Sequence, residues 1–526
     1  MFCTLLPLLL SSPQIVGGEW DEVRRFDAVV AGRADGAVIL QVPDLSGDGH
    51  PDLLSAGLGL GNGAVIMRSG LNGQLLESFS STTDAACFYD VADMNGDGLR
   101  DVALGFPDQN PPGSPVTGLV RIYSSATGAE IMILPGFFLG EEYGSALCSV
   151  ADLDSDSVDD MIITAASRVG TNGLAGVVEV YSLGTGSVLR THEGTGSGSY
   201  GAAVMAVGDL NGDGLSDYAI GDPLAGTGQV DVHSGADGAL LYSVHSPGAT
   251  SAVGSKICSL SDLNGDGKGE LLIQTNDGAL VCSGADGALL HEFDGDVYEQ
   301  DIAPAADFDL DGVDDMVLCG ESSVTVASGA DFSTLVTIEG EADDLFAHAL
   351  GAAIDYRGEG RIEIPVGAPH TDLVQGVDTN DGSIRMWAHI PYLYAESMSI
   401  SSGAGGVLRY RGTFPAGSAG YNYRLLVSIT GKGPTTVNGL QVPLTVDSAA
   451  WSTWRNKYGP LQTNRGHGQL DAVGDVRIPM APLQAALPLE PPGRPVFVKM
   501  DVEGGECRAL RGMRAYLERA RAKSLA

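Results

Sequence analysis

An acidic nine-residue loop recurs seven times along this chain, and five copies share nearly the same frame. Asp93–Asp101 reads DMNGDGLRD and Asp209–Asp217 reads DLNGDGLSD. Oxygen-bearing side chains fall at positions 1, 3, 5 and 9, with Gly at 4 and 6. A short loop that turns four oxygens toward one point is built to wrap a hard divalent cation. The copies begin at Asp44, Asp93, Asp152, Asp209, Asp262, Asp307 and Asp355, so successive starts lie 49, 59, 57, 53, 45 and 48 residues apart. A period of about 40–50 residues is that of a propeller blade. The loop therefore constrains the fold as strongly as the chemistry.

The sequence between the loops agrees. Tyr143, Tyr200, Val253, Tyr298 and Phe346 each stand nine residues before a loop, and Gly144, Gly201 and Gly254 follow three of them. Twelve residues after a loop start come Gly105-Phe106-Pro107, Gly221-Asp222-Pro223 and Gly367-Ala368-Pro369. Short apolar runs between these marks, such as Met161-Ile162-Ile163, read as buried strands. A second element follows each loop: VDVHSGADGALL from Val230 and LVCSGADGALL from Leu280, with a variant from Val65 and looser forms from Val120, Val178 and Val324. Two apolar runs joined by Ser-Gly-x-Asp-Gly read as a hairpin with a tight turn. Each unit then supplies about four strands, enough for one blade.

Calcium is the cation that this donor set suits, because it takes six to eight oxygens and tolerates loose geometry. An EF-hand loop opens with the same 1-3-5-7 spacing and closes with Glu at 12; here the closing acid stands at 9, at the start of the next strand. Gly at 4 and 6 permits the turn, since Gly enters positive φ at little cost. A single copy is equally compatible with a metal-free Asx turn, whereas six well-formed copies in one frame favour the cation. The candidate ligands are Asp44, Ser46, Asp48 and Asp52; Asp93, Asn95, Asp97 and Asp101; Asp152, Asp154, Asp156 and Asp160; Asp209, Asn211, Asp213 and Asp217; Asp262, Asn264, Asp266 and Glu270; and Asp307, Asp309, Asp311 and Asp315. In the third loop Ser155 and Ser157 replace both glycines. The seventh loop, DYRGEGRIE, carries Arg357 at position 3. A guanidinium there is expected to take the cation's place by pairing with Asp355, Glu359 or Glu363, leaving that blade without metal.

These marks resemble the FG-GAP (integrin-alpha-like, VCBS-type) repeat family over about residues 14–390. The resemblance implies a seven-bladed β-propeller of four-stranded blades with calcium in about six loops of one face. In that family positions 1, 3, 5 and 9 give side-chain oxygens and position 7 a backbone carbonyl. It also implies a noncatalytic adhesion or ligand-binding module whose partner is an extracellular protein or glycan.

Charge divides the chain. Residues 1–390 hold 13 Lys and Arg against 58 Asp and Glu, whereas residues 391–526 hold 16 against 9. So acidic a first part argues against nucleic acid as its partner. At the N-terminus, Leu5-Leu6-Pro7-Leu8-Leu9-Leu10 has the length of a signal-peptide h-region, although no Lys or Arg precedes it. It predicts a signal peptide over residues 1–13 and a secreted or cell-surface protein. No later stretch is long and apolar enough to span a bilayer. The seven Cys show no CxxC or Cys/His spacing, so Cys87, Cys148, Cys258, Cys282 and Cys319 read as buried free thiols. His233 and His370 read as packed or solvent-facing side chains.

Beyond residue 390 the repeat stops. Residues 391–461 stay strand-like, in Val407–Tyr410, Tyr423–Val427 and Leu440–Leu444, and are expected to form a small β-rich appendage. Residues 462–526 read as a short α/β fragment: an apolar strand from Pro495 runs into acids and Gly, followed by an expected helix from about Glu506 to Ala522. This tail resembles part of the FkbM-type methyltransferases through Lys499, Asp501, Glu503, Gly504, Glu506, Leu510 and Gly512. The resemblance implies S-adenosylmethionine as cofactor, but the Gly-rich half that binds it is not found upstream. The expectation is an all-β propeller followed by these two pieces, and three function classes stay open. They are a noncatalytic ligand-binding propeller, methyl transfer by the tail, and a carbohydrate-active enzyme with paired carboxylates in the central funnel opposite the cation loops.

Overall fold

The computed structural model describes residues 18–395, apart from short loop segments of which 371–380 is the longest, and beyond them the strands between Leu408 and Asp501. The segment 1–13 and the helix expected over 506–522 lie outside the described residues. Strand β1 (Gly18–Asp27) comes first and finds its partner only at the end of the propeller. Blade 1 contains β2 (Asp35–Val42), β3 (Asp52–Gly57), β4 (Ala64–Ser69) and β5 (Leu75–Ser80). Blade 2 contains β6 (Cys87–Val91), β7 (Asp101–Phe106), β8 (Leu119–Tyr123) and β9 (Glu130–Pro135). Blade 3 contains β10 (Tyr143–Val150), β11 (Asp160–Val169), β12 (Ala175–Ser182) and β13 (Ser187–Glu193). Blade 4 contains β14 (Val204–Gly208), β15 (Asp217–Asp222), β16 (Gln229–His233) and β17 (Leu240–His245). Blade 5 contains β18 (Ile257–Ser259), β19 (Leu271–Thr275), β20 (Gly278–Cys282) and β21 (Leu289–Asp294). Blade 6 contains β22 (Ile302–Ala305), β23 (Asp315–Cys319), β24 (Ser323–Ala327) and β25 (Thr334–Glu339).

Blade 7 departs from the simple repeat. Its own unit gives β26 (Glu363–Ala368), β27 (Ser383–Pro391) and an inner segment that bridges Leu350 to Val366 and Ile354 to Glu363. Its outermost strand is β1, hydrogen-bonded to β27. The seventh unit thus supplies three strands, not four, and the N-terminal strand completes the blade.

Contacts between blades explain the repeated glycines. A Cβ on Gly105 would stand 2.1 Å from the carbonyl oxygen of Gly144 in the next blade, and one on Gly221 would stand 2.1 Å from that of Gly254. Gly367 of blade 7 meets Gly36 of blade 1 in the same way, at 1.9 Å. The glycine near the end of one blade's second strand and the glycine at or just before the start of the next blade's first strand are therefore a matched pair. Backbone touches backbone, and no side chain fits. A parallel bridge recurs at the same joints, joining Gly118 to Tyr143, Gly228 to Val253 and, at ring closure, Gly382 to Asp35.

The hydrophobic core lies between blades. One cluster joins Leu54 and Phe79 of blade 1 to Phe88, Leu104 and Phe106 of blade 2. Another joins Val232 and Val244 of blade 4 to Leu271 and Leu280 of blade 5. Phe26, Ile39, Leu53, Tyr356 and Met386 close the ring. Second strands such as β7 and β15 are buried along their whole length, which is why they read as continuous apolar runs. A large apolar side chain in them, such as Leu104 or Ile220, contributes about 1.5–3 kcal/mol when buried.

The strands beyond the propeller form a second unit. β28 (Leu393–Ala395), β29 (Leu408–Thr413) and β34 (Asp475–Met480) make one sheet. β30 (Asn422–Ser428) lies between β33 (His467–Gln469) and β35 (Pro495–Asp501), while β31 (Thr435–Val437) pairs with β32 (Leu440–Val442). The pairing of β30 with β35 is parallel, from Asn422↔Pro495 to Ser428↔Asp501. The β29–β34 and β30–β35 pairings each join a strand before residue 461 to one after it.

Candidate cation loops and the opposite face

Every acidic loop connects the first and second strands of its blade. Antiparallel strands alternate in direction, so these loops share one end of the blade with the Ser-Gly hairpin turns between strands three and four. The remaining connections lie at the other end.

Within a loop the acidic positions 1, 5 and 9 have separate tasks. Position 1 bends the chain: Asp209 accepts hydrogen bonds from the amides of Gly212, Asp213 and Gly214 at 2.6, 3.1 and 2.9 Å. Asp44, Asp93, Asp152 and Asp262 repeat the pattern. Ser155 and Ser157, which replace glycines in the third loop, hold the same turn at φ of 67° and 73°. The amide of Gly214 first, then those of Gly212 and Asp213, hold the Asp209 carboxyl below its usual range.

Position 5 braces the loop against the hairpin turn. Asp213 accepts from Leu215 N at 2.9 Å and from Ser234 Oγ at 3.1 Å. Ser69 and Ser182 hold Asp48 and Asp156 in the same way, at 2.8 and 3.1 Å. Position 9 is buried in all seven copies. The Asp217 carboxylate accepts from Leu210 N at 2.8 Å and from Gly235 N at 2.9 Å, tying loop and turn together. Burial pushes Asp52 and Asp160 up to about 6, and Glu270 and Asp315 up to about 7, with other loop carboxylates adding to the rise.

Position 2 points to the neighbouring blade. Leu153, Leu210 and Leu263 lie against Gly235, Gly284 and Gly329, where an added Cβ would come within 3.0, 2.9 and 3.0 Å of them. The loop is thus also a joint between blades.

Carboxylate oxygens converge in three loops. Those of Asp152, Asp154 and Asp160, those of Asp262, Asp266 and Glu270, and those of Asp307, Asp309 and Asp311 lie within 4.8 Å of one another in each group. Hard oxygens at this spacing, one of them a buried carboxylate, are a donor set that fits a divalent cation. In loops 1, 2 and 4 position 3 is Ser46, Asn95 or Asn211; Ser46 and Asn95 reach the position-9 acid at 3.5 Å, and Asn211 reaches Asp213 at 2.7 Å. Two side chains link neighbouring loops. Arg100 pairs with Asp90 and with Asp159 of the third loop at 2.7 and 2.6 Å, and Lys268 of the fifth loop donates to the Asp209 carbonyl at 2.9 Å.

The seventh loop is organised differently. Glu363 at position 9 is buried and faces Arg24, with Arg361 at 3.3 Å and Arg357 at 3.9 Å. Of the partners expected for the Arg357 side chain, Glu363 stands 3.9 Å from it, and Glu359 lies outside the described residues. Arg24, on β1, is far away in sequence and no local pattern marks it.

The opposite face carries a feature of another kind. Between β9 and β10, Phe137, Phe138 and Leu139 are 74%, 56% and 75% exposed. The loop that presents them is built. Glu141, itself buried, accepts from the amides of Phe137 and Phe138 and stands 3.6 Å from Arg168, which stacks on the Phe138 ring at 4.7 Å. Val169 and Leu224, on connections at the same end of blades 3 and 4, are also exposed. Sequence reasoning does not find this loop, because exposure of an apolar run depends on the finished fold.

Cys148, Cys258, Cys282 and Cys319 are buried free thiols, as expected, whereas Cys87 is a free thiol only half-buried. His233 is a packed histidine between Tyr200, Tyr218 and His192, lowered by burial; His370 is exposed.

The fold and its loops define a seven-bladed β-propeller whose inner connections are acidic, cation-type turns. No family model matches the chain. Curated relatives do. Integrin alpha-E of Mus musculus is 33% identical over 175 residues, covering 29% of this chain and 15% of the relative. Integrin alpha-2 of Mus musculus is 31% identical over 202 residues, covering 34% and 16%. Integrin alpha-PS2 of Drosophila melanogaster is 30% identical over 164 residues, covering 28% and 11%. The propeller is an FG-GAP repeat propeller of the integrin-alpha-like kind. This chain matches about a sixth or less of the length of those relatives.

Proposed function

We propose that this chain is a calcium-stabilised, noncatalytic propeller module, secreted or held at the cell surface, that binds an extracellular protein or glycan. The observation that carries the proposal is the division of labour between its two faces. The acidic side chains of the loops turn inward to each other and to their own hairpin turns. The opposite face offers Phe137, Phe138 and Leu139 on a loop braced by Glu141. Three adjacent exposed apolar side chains on one ordered loop form a patch of the kind that marks an interaction site. Among the described residues no helix is long and apolar enough to cross a membrane.

Calcium would be held by the residues at positions 1, 3, 5 and 9 of the first six loops. There it supplies the positive charge that each group of converging carboxylates lacks. Asp213→Ala should lower the number of bound calcium ions by one in isothermal calorimetry, while the other loops titrate as before. Unchanged stoichiometry would remove Asp209–Asp217 from the set of sites.

The ligand-binding reading is tested with the full chain immobilised against panels of extracellular matrix proteins and glycans. Retention of a ligand is expected. The triple substitution Phe137→Ser, Phe138→Ser and Leu139→Ser should abolish it without lowering the melting temperature. Equal binding by the triple variant, or turnover of a bound glycan, would contradict the proposal.

The tail supports a second reading, methyl transfer of the FkbM type. Its support is the parallel β30–β35 pair, with Asp501 at the carboxyl end of β35, where ligands gather in α/β sheets. Calorimetric binding of S-adenosylmethionine separates this reading from the first.

A further inference from the structure

We propose that Arg24 is the built-in cation of the seventh loop: at the buried position-9 carboxylate its guanidinium supplies the positive charge that a divalent ion would bring to the other six loops, and so makes ring closure independent of metal. The proposal rests on the cation reading of those six loops. It starts from position 9, whose carboxylate is buried in every copy, and a buried carboxylate needs a counter-charge.

In blade 7 that carboxylate is Glu363, and one of its oxygens is paired with Arg24. The other faces Arg361 at 3.3 Å and Arg357 at 3.9 Å. Three guanidiniums around one loop leave no electrostatic room for a divalent ion. They already provide the charge that such an ion would bring.

Arg24 does more than neutralise. Its second terminal nitrogen donates to the Gly70 carbonyl at 2.6 Å, in the hairpin turn of blade 1. One side chain therefore joins the closing strand β1, the loop of blade 7 and the turn of blade 1. The Arg24 guanidinium also lies 5.3 Å from the centre of the Phe26 ring, within the apolar cluster that closes the ring. Beside it Tyr356, at position 2 of the loop, is fully buried against Gly70, where a Cβ would come within 2.7 Å of the ring. A fork of fixed geometry can hold a carboxylate and a carbonyl together, which a hydrated ammonium does poorly.

The placement has a physical logic. Strand β1 and its partner β27 lie at opposite ends of the propeller sequence, so closure costs more chain entropy than forming any single blade. A closing contact that depended on an exchangeable ion would open first when calcium falls. A covalently attached cation cannot dissociate.

The test uses the full chain. Arg24→Met should lower the melting temperature in excess calcium and in excess chelator alike, and should speed amide exchange in β1 under both conditions. Restoring the frame of the other loops, with Arg24→Met, Arg357→Asn and Arg361→Ser together, should add one bound calcium ion relative to the parent. Calcium should then recover the stability lost. If Arg24→Met does not fold, Arg24→Lys serves in its place and should show a smaller fall under both conditions. An Arg24 variant that melts like the parent in chelator would overturn the proposal, as would a restored loop that binds no additional ion. A parent chain that binds no calcium while Arg24→Met still loses stability would sink the six-loop reading and leave the clasp standing.

Discussion

Excess chelator is expected to lower the melting temperature of the calcium-loaded propeller by about 15 °C or more. At a free calcium concentration of 100 times the dissociation constant, one site bound only by the folded state adds about 2.7 kcal/mol. Six such loops would make calcium a leading contribution to stability. Without the ion, the carboxylates gathered at each loop repel one another, and the buried acid at position 9 is left without its counter-charge. The effect spreads beyond the loops, because position 2 of a loop packs on the next blade, as Leu210 does on Gly284. Scanning calorimetry with and without calcium reads it directly, and identical curves would rule out cation-dependent stability.

The second large effect is expected at the glycine pair that closes the ring. Gly367→Ala should cost about 3 kcal/mol or more. The added Cβ would stand 1.9 Å from the carbonyl oxygen of Gly36, and the obstacle is backbone, which cannot swing aside as a side chain can. Blades 7 and 1 would have to part, exposing the cluster of Phe26, Leu53 and Met386. Denaturant unfolding of the full chain measures the cost; a loss below about 1 kcal/mol would show that this joint is not tightly packed.

Much of this architecture is written locally, and for that reason it was legible. The loop from Asp209 to Asp217 marks a turn, a strand start and a candidate ligand set in nine residues, and its repetition counts the blades. The turn at Ser234-Gly235 is equally local, and the structure adds why it recurs: Ser234 braces Asp213 and Gly235 donates to Asp217. What stayed hidden is set by distance along the chain. Strand β1 has no acidic loop, and nothing near Gly18–Asp27 shows that it pairs with β27. Arg24 therefore looked like any charged residue, and only Arg357, inside the frame, announced that the seventh loop differs. The Phe137–Leu139 loop was hidden for another reason. Apolar residues in a Gly-bounded run read as buried, and only Glu141 folding back on their amides turns them outward.

The central claim is that six of the seven loops hold calcium while the seventh is closed by arginine. Anomalous scattering from crystals grown with calcium tests it most directly. The account predicts one peak among the position-1, -3, -5 and -9 oxygens of each of the first six loops, and none between Asp355 and Glu363. Empty density in the first six loops, or a calcium peak beside Arg24 and Glu363, would contradict it.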